Sequence, residues 1–443
     1  MGNNVSIIDE MFAGTDPEVL LMAYQVFEIE EDETALFDDE ASEDQLNEIE
    51  IVKRALSWHR TRQNWNDHVE ESIYDNSFHR KYRMSLNAFT GLVRILGNAV
   101  VRDMRMNRYG GFVCPEIVVG CALRYLAGGK YTDLGDIFGL SKTEVYKCRD
   151  DFLTAVLECK ELDIKFPKDE DEWERVRAGF TNIATSSVHD GRCCGALDGF
   201  FQSTRQPSRE EAMGNPKAFF SGHYLSYGLN CQALCDARLR FMYFAVIAPG
   251  KVNDAIAVRK CSDLIDAIKN LPFGHYMVGD AAYDLTDKLL TPFVGSQGSH
   301  PDRDAFNFYL SQLRIRIEMA FGRLANKWWI LTTTLTCNLR TSSNILMACA
   351  RLHNYVIDAD DIFAEVDEPD DENDSASNII RNRAPPGMSY LPTLPTNHTP
   401  IEQVTGMRDA LVDYIHSKGY RRPTHNIERR TFMNLEQEYF TTV

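Results

Sequence analysis

One periodic run of apolar residues constrains the fold of this chain more than any other feature. The residues recur in steps of three and four, at Phe306, Leu310, Leu313, Ile317, Phe321, Leu324 and Trp328. That period predicts a helix over residues 304–328 with one buried side. Arg314 and Glu318 fall on an adjoining face, one turn apart. On this helix alone, the pair indicates only an exposed ion pair worth about 0.3–0.5 kcal/mol.

Gly322 lies one further turn along the same predicted helix. A glycine inside a helix costs about 1 kcal/mol relative to alanine. Such a cost is often accepted where another backbone or a ligand comes close, so this position deserves a structural explanation.

Two other carboxylates interrupt short apolar runs. Asp198 follows Cys193-Cys194-Gly195-Ala196-Leu197 and precedes Gly199, and Asp280 follows His275-Tyr276-Met277-Val278-Gly279. Apolar strands with this ending place an acid beside a thin backbone at the edge of a buried sheet. A lone aspartate there would usually be a turn former. Two such strands and Glu318 on a flanking helix together predict one polar site.

Composition bounds the class of protein. With 443 residues, 44% of them hydrophobic, the chain can bury a sizeable core and form two ordered domains. It lacks any run of about 18 apolar residues, so no membrane span is expected. Its 11 scattered cysteines favour reduced thiols in an intracellular protein. Cys231 and Cys235 have no second ligand pair nearby, which argues against a zinc site.

The net charge of −18 is concentrated in two segments. Residues 28–50 hold twelve acids and residues 358–374 hold ten, with no lysine or arginine in either. Without these 22 acids the remaining chain has a net charge of +4. That weak positive charge is compatible with DNA binding but is not evidence for it.

These patterns divide the chain into four parts. We expect an acidic, largely disordered tail at 1–50, a helical domain at 51–165 and a mixed α/β domain at 190–357. The last part, 358–443, is predicted to be an acidic and proline-rich flexible tail with a short helix over 407–417. The pairs Arg421-Arg422 and Arg429-Arg430 are weak signals for nuclear import or phosphate contact.

Residues 115–158 have the outline of a helix-turn-helix. Pro115 suits a first helical turn, Thr132 could cap a short second helix, and Gly139 would end it. Ser141 and Glu144 then have capping-box spacing at the start of a third, basic helix. Its candidate DNA-binding side chains are Lys142, Lys147 and Arg149. A small helical subdomain with solvated lysines explains the same pattern equally well.

The order of elements in the second domain predicts its fold. Residues 224–236 and 239–248 form an antiparallel hairpin after the Asp198 strand, and a helix follows to Lys269, capped by Asn253 or Asp254. The Asp280 strand, the Glu318 helix, a strand over 328–336 and a helix over 342–357 complete it; residues 166–177 are expected to be a connector. This order is the layout of an α/β ribonuclease-H-like domain with a mixed sheet flanked by helices.

Several motifs also resemble a known family. They are Gly-Ala-Leu-Asp198-Gly, Asn-Asp254, Gly-Asp280-Ala-Ala-Tyr, Arg-Ile-Glu318-Met-Ala-Phe-Gly-Arg-Leu and Leu346-Met-Ala-Cys-Ala-Arg-Leu-His353-Asn354. Their order is similar to that of the DDE transposases of the PIF/Harbinger superfamily, over roughly residues 75–357. The resemblance implies that Asp198, Asp280 and Glu318 are catalytic and hold two Mg²⁺ or Mn²⁺ ions, with Asp254 as a supporting acid.

Charge and coordination chemistry agree with that implication. Two carboxylates about 5 Å apart repel by about 3 kcal/mol at an effective dielectric constant of 20, so such a cluster calls for cations. Oxygen-only ligation favours Mg²⁺ or Mn²⁺ over zinc. Arg314 would either assist a DNA phosphate or pair with Glu318.

The sequence departs from the family pattern at three places. Phe200-Phe201-Gln202 replaces the usual Thr-His after the first aspartate, Asn253 replaces a histidine, and Asp284 replaces a proline.

All four acids of the motifs are nevertheless present, so we expect a metal-dependent DDE transposase or endonuclease acting on DNA in the nucleus. The alternatives are a catalytically inactive, domesticated descendant that binds DNA or a protein, and a ribonuclease-H-like enzyme acting on RNA. The family implies a Myb-like DNA-binding partner. We also expect a homo-oligomer and no membrane association.

Overall fold

The computed structural model describes residues 62–102, 112–295, 300–364 and 406–423. The predicted acidic tail at 1–50, the proline-rich segment and the pair Arg429-Arg430 lie outside these ranges. Among the described residues, no helix has both the length and the apolarity needed to span a membrane. The 11 cysteines are all unpaired thiols, as predicted.

Helices make up the first part of the described chain. They are α1 (Trp65–Tyr74), α2 (Phe78–Tyr82), α3 (Leu86–Val100), α4 (Pro115–Leu126), α5 (Tyr131–Phe138), α6 (Lys142–Glu158) and α7 (Glu170–Ile183). Helices α4 to α6 form where the sequence predicts three helices. Gly139 ends α5 with a φ of +64°, and Ser141 Oγ accepts a hydrogen bond of 3.2 Å from the amide of Glu144.

Two expectations for this region are wrong. Helix α5 begins at Tyr131 and its N-cap residue is Lys130, so Thr132 lies inside the helix and does not cap it. The charged stretch 166–177 is not a plain connector, because α7 begins at Glu170, where Asp169 accepts a hydrogen bond from the amide of Glu172.

The second part is a mixed six-stranded sheet flanked by helices. Its strands are β1 (Cys193–Ser203), β2 (Phe220–Ser221), β3 (Ser226–Cys235), β4 (Phe241–Pro249), β5 (Tyr276–Val278) and β6 (Leu289–Leu290). The order is β4-β3-β1-β5-β6, and the short β2 pairs antiparallel with the start of β3. Strands β3 and β4 pair antiparallel, which confirms the predicted hairpin. The β1–β3 pair is also antiparallel, whereas β1–β5 and β5–β6 are parallel.

The remaining helices surround this sheet. They are α8 (Asp254–Val258), α9 (Ser262–Lys269), α10 (Pro301–Lys327), α11 (Leu339–Ala364) and α12 (Gly406–Lys418). Residues 328–336 do not form the predicted strand: a 3₁₀ turn over Trp329–Thr332 stands there, followed by one isolated bridge between Leu335 and Thr204.

Side chains of β1 point into two apolar cores. Cys193, Ala196 and Phe200 join the larger core with α10 and α11, and Cys194 and Leu197 join a smaller core with α9. Every residue of the stripe predicted on α10 is buried. The larger core also contains the apolar residues of α3 to α6, so the helical part and the sheet share one interior.

Helix α12 packs on the start of α10 through ion pairs. Asp302 is 5% exposed and binds His416 and Arg421, while Arg422 lies 2.9 Å from Asp304. Arg421 and Arg422 therefore hold the end of the described chain in place, which gives them a structural role that the sequence did not predict.

Candidate active site

Asp198 lies in the middle of β1, opposite Ala233 of β3. Its Oδ1 accepts a hydrogen bond of 2.8 Å from the amide of Gly199, and 22% of its side chain is exposed. Burial, and next the negative charge of Asp280, raise the pKa of Asp198 to about 8. The raised pKa means that the ionised form of Asp198 is unfavourable here, so a bound cation is expected beside it.

Asp280 and Glu318 approach Asp198 from two other elements. Asp280 follows the end of β5, the parallel neighbour of β1, with Gly279 between. Glu318 projects from α10, which packs across the sheet through Ile317 and Phe321. The three residues predicted from far apart in the sequence thus meet at one place.

Arg314 joins the three carboxylates. Its Nη1 lies 2.6 Å from an oxygen of Glu318 and 3.9 Å from an oxygen of each of Asp198 and Asp280. Burial opposes the charge of this guanidinium, but Glu318 and the two aspartates outweigh that effect and raise its pKa. As the side chains stand, no group of three acids, histidines or cysteines among the described residues is arranged to hold a metal ion.

Asp254 is the first residue of α8 and points towards Gly199. The cap of α8 is Asn253, whose Oδ1 accepts a hydrogen bond of 3.0 Å from the amide of Ile256. The carboxylate of Asp254 is therefore not used as the helix cap. A Cβ atom on Gly199 would lie 2.2 Å from Oδ1 of Asp254, so glycine is needed here for the close approach.

The side-chain amides of two buried residues hold Asp254, and the sequence did not predict them as part of the site. Asn230 Nδ2 and Gln232 Nε2 each donate a hydrogen bond of 2.9 Å to Oδ1 of Asp254. Tyr283 in turn donates one of 2.7 Å to Gln232 Oε1. Burial raises the pKa of Asp254, and the two amides partly offset the rise. Polar residues two apart in an otherwise apolar strand were the signal for this network.

The replacement residues after Asp198 have structural partners. Phe200 packs against Phe321 of α10 with ring centroids 5.2 Å apart, and Gln202 Nε2 donates a hydrogen bond of 2.9 Å to the carbonyl of Thr333. They anchor the site-bearing strand to α10 and the segment after it.

The residues predicted to contact DNA through the helical part lie on α6. Lys142 and Lys147 are exposed, and Lys142 Nζ lies 4.7 Å from the centroid of the Tyr131 ring. Arg149 is 8% exposed, pairs with Asp150 at 2.8 Å and lies over the rings of Tyr125 and Tyr146. Its charge is used within the protein, so the DNA-contact prediction for α6 depends mainly on the two lysines.

Comparison with known proteins supports the resemblance seen in the motifs. Residues 197–354 match the family described as DDE superfamily endonuclease. The chain is 26% identical over 258 residues to "Protein ALP1-like" of Arabidopsis thaliana, an alignment covering 55% of this chain and 61% of the relative. It is 25% identical over 288 residues to "Putative nuclease HARBI1" of Homo sapiens, covering 63% and 78%. No solved structure matches the chain at a significant level.

These matches confirm the predicted likeness to Harbinger-derived proteins, at modest identity. The matched family domain begins one residue before Asp198 and ends at Asn354, and so contains all four acids. The chain spans less than two thirds of the Arabidopsis relative.

Proposed function

Because residues 197–354 match the family described as DDE superfamily endonuclease, we propose that the chain cuts and joins DNA phosphodiesters as a metal-dependent DDE transposase or endonuclease. In this proposal the domain is ribonuclease-H-like, and Asp198, Asp280 and Glu318 are the catalytic acids. The observation that carries it is the convergence of these three carboxylates, each with an oxygen within 3.9 Å of Arg314 Nη1.

The residues fit a divalent cation by the chemistry of their donors. The three acids around Arg314 offer carboxylate oxygens. Burial, followed by the negative charge of Asp280, raises the pKa of Asp198, so a cation beside it would favour its charged form. We propose that Asp198, Asp254, Asp280 and Glu318 hold two Mg²⁺ or Mn²⁺ ions after Arg314 has turned away. Two such ions supply an activated water or DNA 3′-hydroxyl and neutralise the charge that develops on the leaving oxygen.

The chain's own residues supply positioning and charge. Strand β1 positions Asp198, and the amides of Asn230 and Gln232 hold Asp254 in place. Arg314, once displaced from Glu318, can pair with a phosphate of the DNA through its planar guanidinium. The exposed Lys142 and Lys147 would contact further phosphates.

A second candidate follows from the same arginine. A guanidinium among the three carboxylates offsets part of their negative charge without metal, which favours an inactive, domesticated transposase that binds DNA or a protein. In either case we propose a nuclear protein that works as a homo-oligomer, with a Myb-like DNA-binding accessory protein.

A nicking and strand-transfer assay tests the proposal. Purified full-length chain is incubated with supercoiled plasmid and with DNA oligonucleotides, in Mg²⁺, Mn²⁺ or EDTA. We expect nicking only with metal, and its loss in Asp280→Asn. The matched control is Asp284→Asn, an exposed carboxylate of the same loop that pairs with Arg259.

The outcomes separate the candidates. Metal-dependent nicking by Asp280→Asn at the wild-type rate would mean that Asp280 is not catalytic and would contradict the proposal. No nicking in any metal, together with intact DNA binding, would favour the inactive descendant. Equal cleavage of DNA and RNA would favour a ribonuclease-H-like enzyme acting on RNA.

A further inference from the structure

A set of buried hydrogen bonds joins the turn that begins at Asp280 to the carboxylate of Asp254. Tyr283 in this turn is 4% exposed, and its hydroxyl donates a hydrogen bond of 2.7 Å to Oε1 of Gln232. The backbone amide of Tyr283 donates one of 3.1 Å to the carbonyl of Asp280. A Cβ atom on Gly279 would lie 3.1 Å from Cδ2 of Tyr283, so the glycine leaves the room that this ring needs. Tyr283 is therefore held in place relative to Asp280.

The side-chain amides of Asn230 and Gln232 have an acceptor for each of their hydrogens. Gln232 is fully buried, and its Nε2 donates hydrogen bonds of 2.9 Å to Asn230 Oδ1 and to Asp254 Oδ1. Nδ2 of Asn230 donates to the carbonyl of Val252 at 3.1 Å and to Asp254 Oδ1 at 2.9 Å. Reversing the Gln232 amide would place its carbonyl oxygen 2.9 Å from two other oxygens. Only one orientation of this amide therefore satisfies the network.

The orientation of the Gln232 amide depends on the hydroxyl of Tyr283. Among the described residues, Tyr283 donates the one hydrogen bond that Gln232 Oε1 accepts. Burial raises the pKa of Tyr283 well above its usual value, so the hydroxyl keeps its proton and remains a donor. A buried carbonyl oxygen that loses its donor is destabilised, and rotation of the amide towards another donor would relieve this. Tyr283 thus keeps the Nε2 hydrogens directed at Asn230 and Asp254.

The network occupies one oxygen of Asp254 and leaves the other. Oδ1 accepts both amide hydrogen bonds, whereas Oδ2 accepts none from the residues that the structure describes. Oδ2 lies 3.1 Å from the point where a Cβ atom of Gly199, the neighbour of Asp198, would stand. Burial, and then the negative charges of Asp280 and Asp254, raise the pKa of Asp198, so Asp254 lies within electrostatic reach of the other acids. Oδ2 is therefore an open oxygen ligand beside them.

We propose that Tyr283 is a positioning residue for the metal site. Its hydroxyl fixes the Gln232 amide, the amide holds Oδ1 of Asp254, and Oδ2 is thereby presented to a divalent cation. Because Tyr283 is also bonded to the backbone of Asp280, it sets the position of one acid relative to the other. The inference rests on the proposed function, and it assigns control of metal affinity to a buried tyrosine that is not itself a ligand.

Binding of Mn²⁺ alone to the purified full-length chain tests the proposal without DNA, with the electron paramagnetic resonance signal of the free ion as the readout. Tyr283→Phe removes only the hydroxyl. We expect it to weaken Mn²⁺ binding about tenfold or more, the usual effect of removing a hydrogen-bond partner from a metal ligand. In the nicking assay, the Mn²⁺ concentration that gives half the maximal rate should rise by the same factor. The rate at saturating Mn²⁺ should stay near that of the wild type.

Tyr276→Phe is the matched control for the loss of a buried hydroxyl. Tyr276 is fully buried, and its hydroxyl lies 2.7 Å from Nδ1 of His189, a partner outside the acidic cluster. Both variants should lower the urea midpoint by a similar amount, because each leaves one buried polar atom without its partner. Only Tyr283→Phe should change the affinity for Mn²⁺.

A double-mutant cycle tests whether Tyr283 acts through Gln232. Gln232→Leu should weaken Mn²⁺ binding at least as much as Tyr283→Phe does, because Asp254 then loses one of its two amide donors. In the Gln232→Leu background, Tyr283→Phe should cause no further loss. Additive losses would mean that Tyr283 acts by another route and would overturn the inference.

The other outcomes separate the inference from the proposed function. Unchanged Mn²⁺ affinity in Tyr283→Phe, or an equal loss of affinity in Tyr276→Phe, would overturn the inference. A wild type that binds Mn²⁺ more tightly than Tyr283→Phe but nicks no DNA would refute the proposed function alone. A wild type without measurable Mn²⁺ binding would overturn both.

Discussion

Arg314 Nη1 lies 2.6 Å from Oε1 of Glu318, one turn away on α10. Helix α10, which carries Glu318 next to the sheet, thus also carries the positively charged guanidinium of Arg314 to the same place. The guanidinium lies within 3.9 Å of both other acids, so one side chain offsets part of the negative charge that three elements bring together. Any divalent ion at these carboxylates has to compete with it.

Replacing Arg314 by glutamine should expose this competition. Breaking a largely buried ion pair costs about 3–5 kcal/mol, so we expect a loss of that order in the free energy of unfolding in EDTA. Mn²⁺ should restore part of it and should stabilise the variant more than the wild type, because the carboxylates are then open to metal. Urea denaturation with and without Mn²⁺ measures both effects.

The control for Arg314 is the exposed pair of Arg259 and Asp284, whose side chains are 62% and 63% exposed at 2.6 Å separation. Arg259→Gln should cost no more than about 1 kcal/mol and should not change the response to Mn²⁺. Equal losses in the two variants would mean that Arg314 is only a surface partner of Glu318.

Gly199→Ala should impair the site without disturbing the rest of the fold. The new methyl group would lie 2.2 Å from Oδ1 of Asp254, and two buried amides prevent that carboxylate from simply turning away. A displacement of about 1 Å in a catalytic group can cost about 100-fold in rate. We expect a loss of that order in the metal-dependent nicking rate.

Gly222→Ala is the matched control, because a Cβ atom there meets nothing within 4 Å. Both variants should keep the far-ultraviolet circular dichroism spectrum of the wild type. If Gly199→Ala nicked DNA at the wild-type rate, Asp254 would have no part in the reaction.

The sequence predicted those features that depend on local pattern. The apolar stripe of α10, the hairpin of β3 and β4, and α12 occur where expected, because each follows from periodicity or turn residues within the element itself. The convergence of Asp198, Asp280 and Glu318 required more, since only the ordered set of family motifs linked residues so distant in the chain.

Other features depend on contacts that one sequence cannot display. Residues 328–336 have aromatic and β-branched residues typical of a strand, yet Trp328 is fully buried and the chain turns there in a 3₁₀ helix. The many charged residues of α7 suggested a connector, but this segment is an amphipathic helix that buries Phe180. The amides around Asp254 could have been noticed as Asn230 and Gln232, two apart in an apolar strand.

Ile317→Ala should show how strongly α10 is held against the sheet. Ile317 is fully buried in the larger core, and removing such a side chain costs about 2–5 kcal/mol. Ile315→Ala, two residues away and 46% exposed, should change stability by about 0.5 kcal/mol. Urea denaturation measures both. Similar losses at the two positions would contradict the assignment of the buried face of α10.

Two buried histidines should make the protein less stable in mild acid. Burial lowers the pKa of His189 to about 3 and that of His353 to about 4, below the value of 6.5 for a free histidine. Between about pH 6.5 and the lowered pKa, the unfolded chain binds a proton that the folded chain does not. Stability therefore falls as pH falls, by about 1.4 kcal/mol per pH unit for each histidine.

His353→Gln isolates one of these contributions, because its amide can still donate to the carbonyl of Leu239, which His353 Nε2 meets at 2.8 Å. The raised pKa of Asp198 has the opposite effect on stability over this range, but it is common to both proteins and cancels in the comparison. From about pH 7 to pH 5, the wild type should lose about 2 kcal/mol more than the variant. Equal losses in wild type and His353→Gln would mean that His353 takes up its proton without unfolding.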